Sequence, residues 1–95
     1  MTSHVYILAS QRNGTLYTGS TTDLARRVWE HRAAVTPGFT KTYGVVMLVW
    51  YEDHPRIIDA WIREYAIKRW RRDWKLALIE AMNPAWRDLY LDLNQ

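Results

Sequence analysis

Two hydrophobic periods divide the chain. His4 to Ala9 (HVYILA) is a short apolar, β-prone run and predicts a strand. Gln11 to Thr15 carries Asn13-Gly14 in its middle, a pair that tolerates positive φ and signals a hairpin. Leu16 to Gly19 (LYTG) is then the returning antiparallel strand, which brings Tyr6 and Tyr17 into one neighbourhood. Thr21, Thr22 and Asp23 are helix N-cap types, and a helix is predicted from about Asp23 to Ala34. Leu24, Ala25 and Val28 form its apolar stripe, while Arg27 and His31, four apart, share another face. Thr36-Pro37-Gly38 ends it. Val45 to Glu52 (VVMLVWYE) is a third strand, and its unbroken apolar run predicts a central place in the sheet. Pro55 suits the first turn of a following helix. Ile57, Ile58, Trp61, Ile62 and Tyr65 give that helix a broad stripe through about Trp70. A further helix runs from about Asp73 to Met82 and breaks at Asn83-Pro84. Trp86, Leu89, Tyr90 and Leu93 fit a short closing helix. The order is β-β-α-β-α-α, an α+β domain in which a small sheet is covered by helices.

Composition narrows this picture. Ninety-five residues suit one domain, read as residues 1–95 with a core at about 4–82. Hydrophobic residues at 48% and charged residues at 24% exclude disorder as the default. No apolar stretch approaches the length of a membrane-spanning helix, so no membrane association is expected. The start of the chain lacks a basic segment followed by an apolar run, so no signal peptide is expected either. Cysteine is absent, which removes disulfides, thiolate metal sites and cysteine nucleophiles. The expected compartment is cytoplasmic. Net charge is only +3, but residues 68 to 75 (KRWRRDWK) hold five of the 13 basic residues and one acid. Such a patch suits a polyanion. Six Trp and six Tyr supply aromatic surface for a core or for stacking on bases.

The candidate chemistry is sparse. The three histidines (4, 31 and 54) lack the spacing of a metal motif, and no carboxylate run resembles a metal loop. The four glycines form no phosphate loop. What remains is two strand tyrosines, an Arg/His helix face, one helical Glu among apolar residues, and the basic patch. These are parts that phosphodiester chemistry needs. Arginine binds and neutralises phosphate, and a lone carboxylate can hold a Mg²⁺ that takes its other ligands from water and phosphate.

The same residues carry a resemblance. Val5-Tyr6-Ile7 followed by Tyr17-Thr18-Gly19 resembles the paired motif of the GIY-YIG nuclease family. That family has an Arg ten residues beyond the second motif's Tyr, here Arg27, and a His or Tyr four further on, here His31. Its metal-binding Glu lies on the helix after the third strand, and Asp59-Ala60-Trp61-Ile62-Arg63-Glu64 places it at Glu64. The resemblance covers about residues 4 to 82 and is nearest to small stand-alone bacterial members. It implies a three-stranded antiparallel sheet flanked by helices. It also implies metal-dependent cleavage of DNA with Mg²⁺ or Mn²⁺, in repair or recombination. Tyr6, Tyr17, Arg27, His31 and Glu64 would be the catalytic set, with Glu64 the metal ligand. Val5 and Thr18 replace the Gly and Ile of the family name, and Ser20 stands where some relatives have Lys.

Each residue also has a plain structural reading. The tyrosines could be paired strand aromatics. Only one of Arg26 and Arg27 can face the site, because adjacent helical residues point about 100° apart; Arg27 is the choice. Glu64 is either salt-bridged, to Lys68, or a ligand. Arg26, Lys41, Lys68, Arg69, Arg71, Arg72 and Lys75 are the candidate nucleic-acid contacts, against the alternative of a solvated face. Trp61, Trp70, Trp74 and Trp86 are assigned to the core, and Trp29 to a partly exposed place near Arg27. Most relatives join the catalytic domain to a separate DNA-binding module, so a protein partner could direct this one. Two rival functions are a nucleic-acid-binding module with little catalysis and a protein-interaction scaffold.

Overall fold

The computed structural model describes residues 2–33, 38 and 42–93. Strands β1 (Ser3–Ala9), β2 (Leu16–Thr21) and β3 (Met47–His54) form one antiparallel sheet in the order β2-β1-β3. Helix α1 (Leu24–Arg32) joins β2 to β3. Helices α2 (Ile57–Lys68) and α3 (Arg72–Met82) follow β3, and a 3-10 turn at Leu89–Asp92 closes the described chain. The β-β-α-β-α-α order and the α+β class are as expected.

The central strand is β1, not β3. Val5, Ile7, Leu8 and Ala9 are fully buried because β1 has a strand on each side and packing on both faces. The apolar run of β3 is buried by helices rather than by a second neighbouring strand. Leu48 belongs to the core on the α1 face, while Val49 and Trp50 both join the core on the α2/α3 face. A register shift makes this possible. Ile7 pairs with Trp50 and Leu8 with Leu48, so Val49 is an extra residue on the β3 side. Such a bulge redirects side chains that strict alternation would send to opposite faces.

The hairpin is wider than a two-residue turn. Ser10 N donates to Thr15 O and Gly14 N to Gln11 O, and only Asn13 takes a positive φ, of 57°. Arg72, from α3, donates to the carbonyls of Asn13 and Gly14 at 2.7 and 2.6 Å and ties this turn down.

Helix α1 starts where the cap chemistry places it. The Asp23 side chain accepts from Arg26 N at 3.2 Å. It ends at Arg32 with Ala33 as its C-cap, short of the expected end; Ala34 itself lies outside the described residues. Pro55 precedes α2 instead of entering its first turn. The buried face of α2 is also not the expected one. Ala60 and Ile67 are buried, while Ile58, Trp61, Ile62 and Tyr65 are about half exposed or more. The small Ala60 lets the helix approach the sheet, and the bulky stripe turns outward. Of the four tryptophans assigned to the core, Trp86 is buried, Trp70 is half-buried, and Trp61 and Trp74 are exposed. Trp29 is exposed, as expected.

The chain after α3 is fastened by Asn83. Its Nδ2 donates to Val49 O at 3.1 Å and to Arg87 O at 2.8 Å, and its Oδ1 accepts from Arg87 N at 3.0 Å. This buried amide seats Trp86 against the core. Asn83→Ala would leave buried backbone groups unpaired and is expected to cost about 2–3 kcal/mol. A urea midpoint unchanged in that variant would contradict the fastening role.

Candidate active site

Alternation on β1 sends Tyr6 to the face that carries α1. Tyr6 pairs across the sheet with Gly19, and Tyr17 lies one step along on the same face. The Tyr6 ring crosses the position where a Gly19 side chain would stand. An added Cβ there would lie 2.5 Å from Tyr6 Oη and 2.7 Å from Cζ. Gly19 is therefore required for space, and it lets the Tyr6 hydroxyl reach toward edge strand β2.

Helix α1 supplies the next two groups. His31 is buried, with Nε2 3.2 Å from Tyr6 Oη. The Tyr17 ring lies 5.3 Å from His31 and 6.4 Å from Tyr6, so the three rings form one cluster. The Arg27 guanidinium lies beside the Tyr6 hydroxyl and pairs with Glu30 Oε1 at 3.0 Å. Arg26 points outward, 75% exposed at its side chain, and reaches the other Glu30 oxygen at 3.5 Å. Glu30 thus bridges both arginines, a role the sequence signals only as an acid three residues past Arg27. A cleft of about 360 Å³ opens at the start of α1, lined by Thr21, Asp23, Arg26 and Arg27 among others. A larger cleft of about 690 Å³ sits at the hairpin turn, beside Trp70, Arg72 and Lys75, and touches none of the five catalytic candidates. The clustered side chains, not cleft size, mark the candidate centre.

Glu64 arrives from the opposite face. Alternation on β2 turns Ser20 away from Gly19 and toward α2. Ser20 Oγ donates to Glu64 Oε1, and Lys68 Nζ pairs with Glu64 Oε2 at 2.6 Å. The site therefore straddles edge strand β2, with the tyrosines, Arg27 and His31 on one side and Glu64 on the other. The charge of Glu64 is felt at Tyr6. Ser20 thus has a partner of its own, and Lys68 supplies a cation to the same carboxylate.

The electrostatics assign distinct states to these groups. Burial, with help from Tyr17 and Glu64, pushes the Tyr6 hydroxyl well above its usual value; Arg27 opposes this but does not outweigh it. Tyr6 is protonated at neutral pH. Burial and then the Arg27 charge lower the His31 pKa below 6.5, so the ring is neutral and can accept a proton. Burial works against the Arg27 charge, but hydrogen bonds to Glu30 and Tyr6 prevail and raise its pKa. The Glu30 carboxyl is held below its usual value, first by its hydrogen bond to Arg27.

His31 makes stability depend on pH. Its folded pKa is depressed, so below about 6.5 the unfolded chain binds more protons than the folded one. Stability is full above that value and falls as pH drops below it. His4, also lowered by burial, pushes the same way. The urea midpoint is expected to fall from pH 7 to pH 5, and His31→Gln to flatten part of that slope. An unchanged slope would show that His31 is not held neutral.

A divalent cation fits Glu64 in a limited sense. Among the described residues no group of three or more His, Asp or Glu could enclose a metal. Glu64 offers one hard carboxylate, which suits Mg²⁺ or Mn²⁺ completed by water and a phosphate. The Lys68 ammonium at 2.6 Å already stands where a cation is stabilised.

The expected nucleic-acid contacts are mostly engaged within the protein. Lys68 is on Glu64, Arg69 Nη1 donates to Tyr65 Oη at 2.6 Å, Arg71 pairs with Asp73 at 3.4 Å, and Arg72 holds the hairpin carbonyls. Lys75 borders the cleft at Trp70. Lys41 lies outside the described residues. No helix among the described residues is long and apolar enough to cross a membrane.

Comparison with known proteins agrees with this fold. The family model of the GIY-YIG catalytic domain matches residues 2–77. A UPF0213 protein of Staphylococcus haemolyticus is 36% identical over 80 residues, covering 84% of this chain and 98% of its own. A UPF0213 protein of Halobacterium salinarum is 41% identical over 75 residues, covering 79% and 96%. The solution NMR structure of a UPF0213 protein from Bacillus halodurans matches with a TM-score of 0.57 at 31% identity, over 93% of each chain. With the motif tyrosines on β1 and β2, the Arg/His pair on α1 and the sheet order in place, the chain belongs to the GIY-YIG nuclease family.

Proposed function

We propose that this protein is a metal-dependent endonuclease that hydrolyses phosphodiester bonds in DNA, with a role in repair or recombination. The observation that carries the reading is the edge of β2. There a neutral His31, a protonated Tyr6 and the Arg27 guanidinium meet opposite a carboxylate already paired with a cation.

Arg27 binds the non-bridging phosphate oxygens and stabilises the charge that grows on them, leaving Glu30 to do so. Glu64 would hold Mg²⁺ or Mn²⁺, which when bound supplies Lewis-acid polarisation of the phosphate. Lys68 then leaves Glu64 for a neighbouring phosphate. Tyr6 Oη takes the proton of the attacking water as it passes its own to His31 Nε2, 3.2 Å away. Tyr17 holds His31 in place through ring contact.

A second reading is favoured by one observation. Both central charges, Arg27 and Glu64, are paired within the protein. A nucleic-acid-binding module that stays silent until a partner frees them has the same structure. Labelled duplex, single-stranded, flap and four-way-junction DNA should be incubated with Mg²⁺, Mn²⁺ or EDTA, with Glu64→Gln alongside. Cutting that needs both the metal and Glu64 supports the nuclease. Binding without cutting, unaffected by Glu64→Gln, supports the module.

A further inference from the structure

Helix α2 carries a surface that the catalytic reading leaves unused. Ile58, Trp61, Ile62 and Tyr65, at i, i+3, i+4 and i+7, are 48%, 55%, 64% and 63% exposed. Trp74 on α3, 49% exposed, is a further large aromatic left in solvent. Large apolar side chains grouped on the outside of so small a chain mark an interaction surface.

The border of the strip names its occupant. Arg69 lies over the Tyr65 ring at 5.2 Å, and Arg71 over the Trp74 ring at 4.8 Å. Lys68 stands beside them, paired with Glu64. The acids nearby are neutralised: Asp59 by Arg56, Asp73 by Arg71 and Glu64 by Lys68. Cations with aromatic planes between them fit a polyanion whose bases are free to stack. A base-paired duplex hides those planes. Placement agrees. Trp61 and Tyr65 lie three residues before and one residue after Glu64, about 60° and 100° round the helix from it. At i and i+4 the two rings spring from neighbouring points about 5–6 Å apart, within reach of consecutive unpaired nucleotides.

We propose that the exposed face of α2 binds unpaired nucleotides flanking the phosphate to be cut. Trp61 and Tyr65 stack on the bases, and Lys68 and Arg69 hold the phosphates. This rests on the reading of Glu64 as the place of cleavage. It supplies within the catalytic domain a substrate-binding surface, and it names the substrate class as DNA with a single-stranded segment next to the cut.

The test is direct binding in EDTA, so that no cleavage intervenes. The probes are a fluorescein-labelled single strand, a flap with a single-stranded tail, and a blunt duplex. The doubly substituted Trp61→Ala/Tyr65→Ala protein should bind the single strand and the flap at least about tenfold more weakly, while duplex binding is unchanged. Trp61→Phe/Tyr65→Phe should restore most of the loss, because a ring suffices for stacking. Ile58→Ala/Ile62→Ala, which trims the same face but removes no ring, should weaken single-strand binding much less than Trp61→Ala/Tyr65→Ala does; an equal loss would show that apolar contact and not stacking holds the strand, against the proposal. A Trp61→Ala/Tyr65→Ala protein that binds every probe as tightly as the parent does, or no binding of the single strand by the parent at low salt, overturns the proposal. So does a sedimentation result in which that variant turns a dimer into a monomer with DNA affinity untouched; the face would then join two copies of this chain. The outcome is separable from the catalytic reading. Selective loss of single-strand binding stands even if no cutting is found, and cutting by a variant with undiminished affinity refutes only the docking face.

Discussion

Glu64→Gln is expected to reduce phosphodiester cleavage by roughly a thousandfold or more, the scale of losing a charge that stabilises a transferring phosphoryl group. The substitution keeps the shape of the side chain and an amide oxygen to accept from Ser20. It removes the negative charge, and with it the reason for any cation to sit there. The fold should hardly notice. The lost ion pair is with Lys68, whose side chain is half exposed, and such pairs contribute at most about 1 kcal/mol. Single-turnover cleavage and a urea midpoint should be measured on the same preparation. Full activity with an unchanged midpoint would remove Glu64 from the site. Lost activity with a collapsed midpoint would mean that the residue is structural.

The second large effect is expected at Gly19. Gly19→Ala places a methyl 2.5 Å from Tyr6 Oη and 3.2 Å from Tyr17 Cε1. Neither hydroxyl nor ring can retreat easily, because Tyr6 is 1% exposed and packed among Leu8, Val28 and Leu48. Overpacking of this kind costs about 1–3 kcal/mol. It should also break the Tyr6–His31 contact, so activity falls together with stability. In a Tyr6→Phe background the nearest atom is gone, and the same alanine should cost less, a coupling that a double-mutant cycle reads directly. If Gly19→Ala folds as stably as the parent and the two costs simply add, Tyr6 does not occupy the space assigned to it. The strand motif's glycine is thus explained by the tyrosine it faces rather than by backbone freedom.

Much of this was legible in the chain itself. Alternating and 3.6-residue periods located the strands and helices to within a few residues, because backbone geometry imposes those periods locally. Asp23 marked the start of α1 because its short side chain can accept from the first free amides. Arg27 and His31 were paired by the helix, and the hairpin brought Tyr17 to Tyr6.

Other features depend on what packs against what. A helical stripe shows that one side is apolar, but not that this side faces the sheet. Ile58, Trp61, Ile62 and Tyr65 point outward because Ala60 and Ile67 offer the narrower face on which α2 can approach β1 and β2. An unbroken apolar strand shows burial, but not what buries it. For β3 the cover is helical, and the bulge at Val49 sends two successive residues to one face.

The sequence by itself determined the elements and their order, since these follow from local propensity and spacing along the backbone, and it named the candidate side chains that those elements carry. Only the tertiary structure decided that the site straddles an edge strand. It alone closed Ser20 on Glu64 across 44 residues, set Tyr6 against His31 across 25, and left aromatic rings in solvent beside the cation-paired carboxylate. Those contacts join residues whose separation in the chain carries no information about their distance in space, and they form only when burying the core brings the elements together.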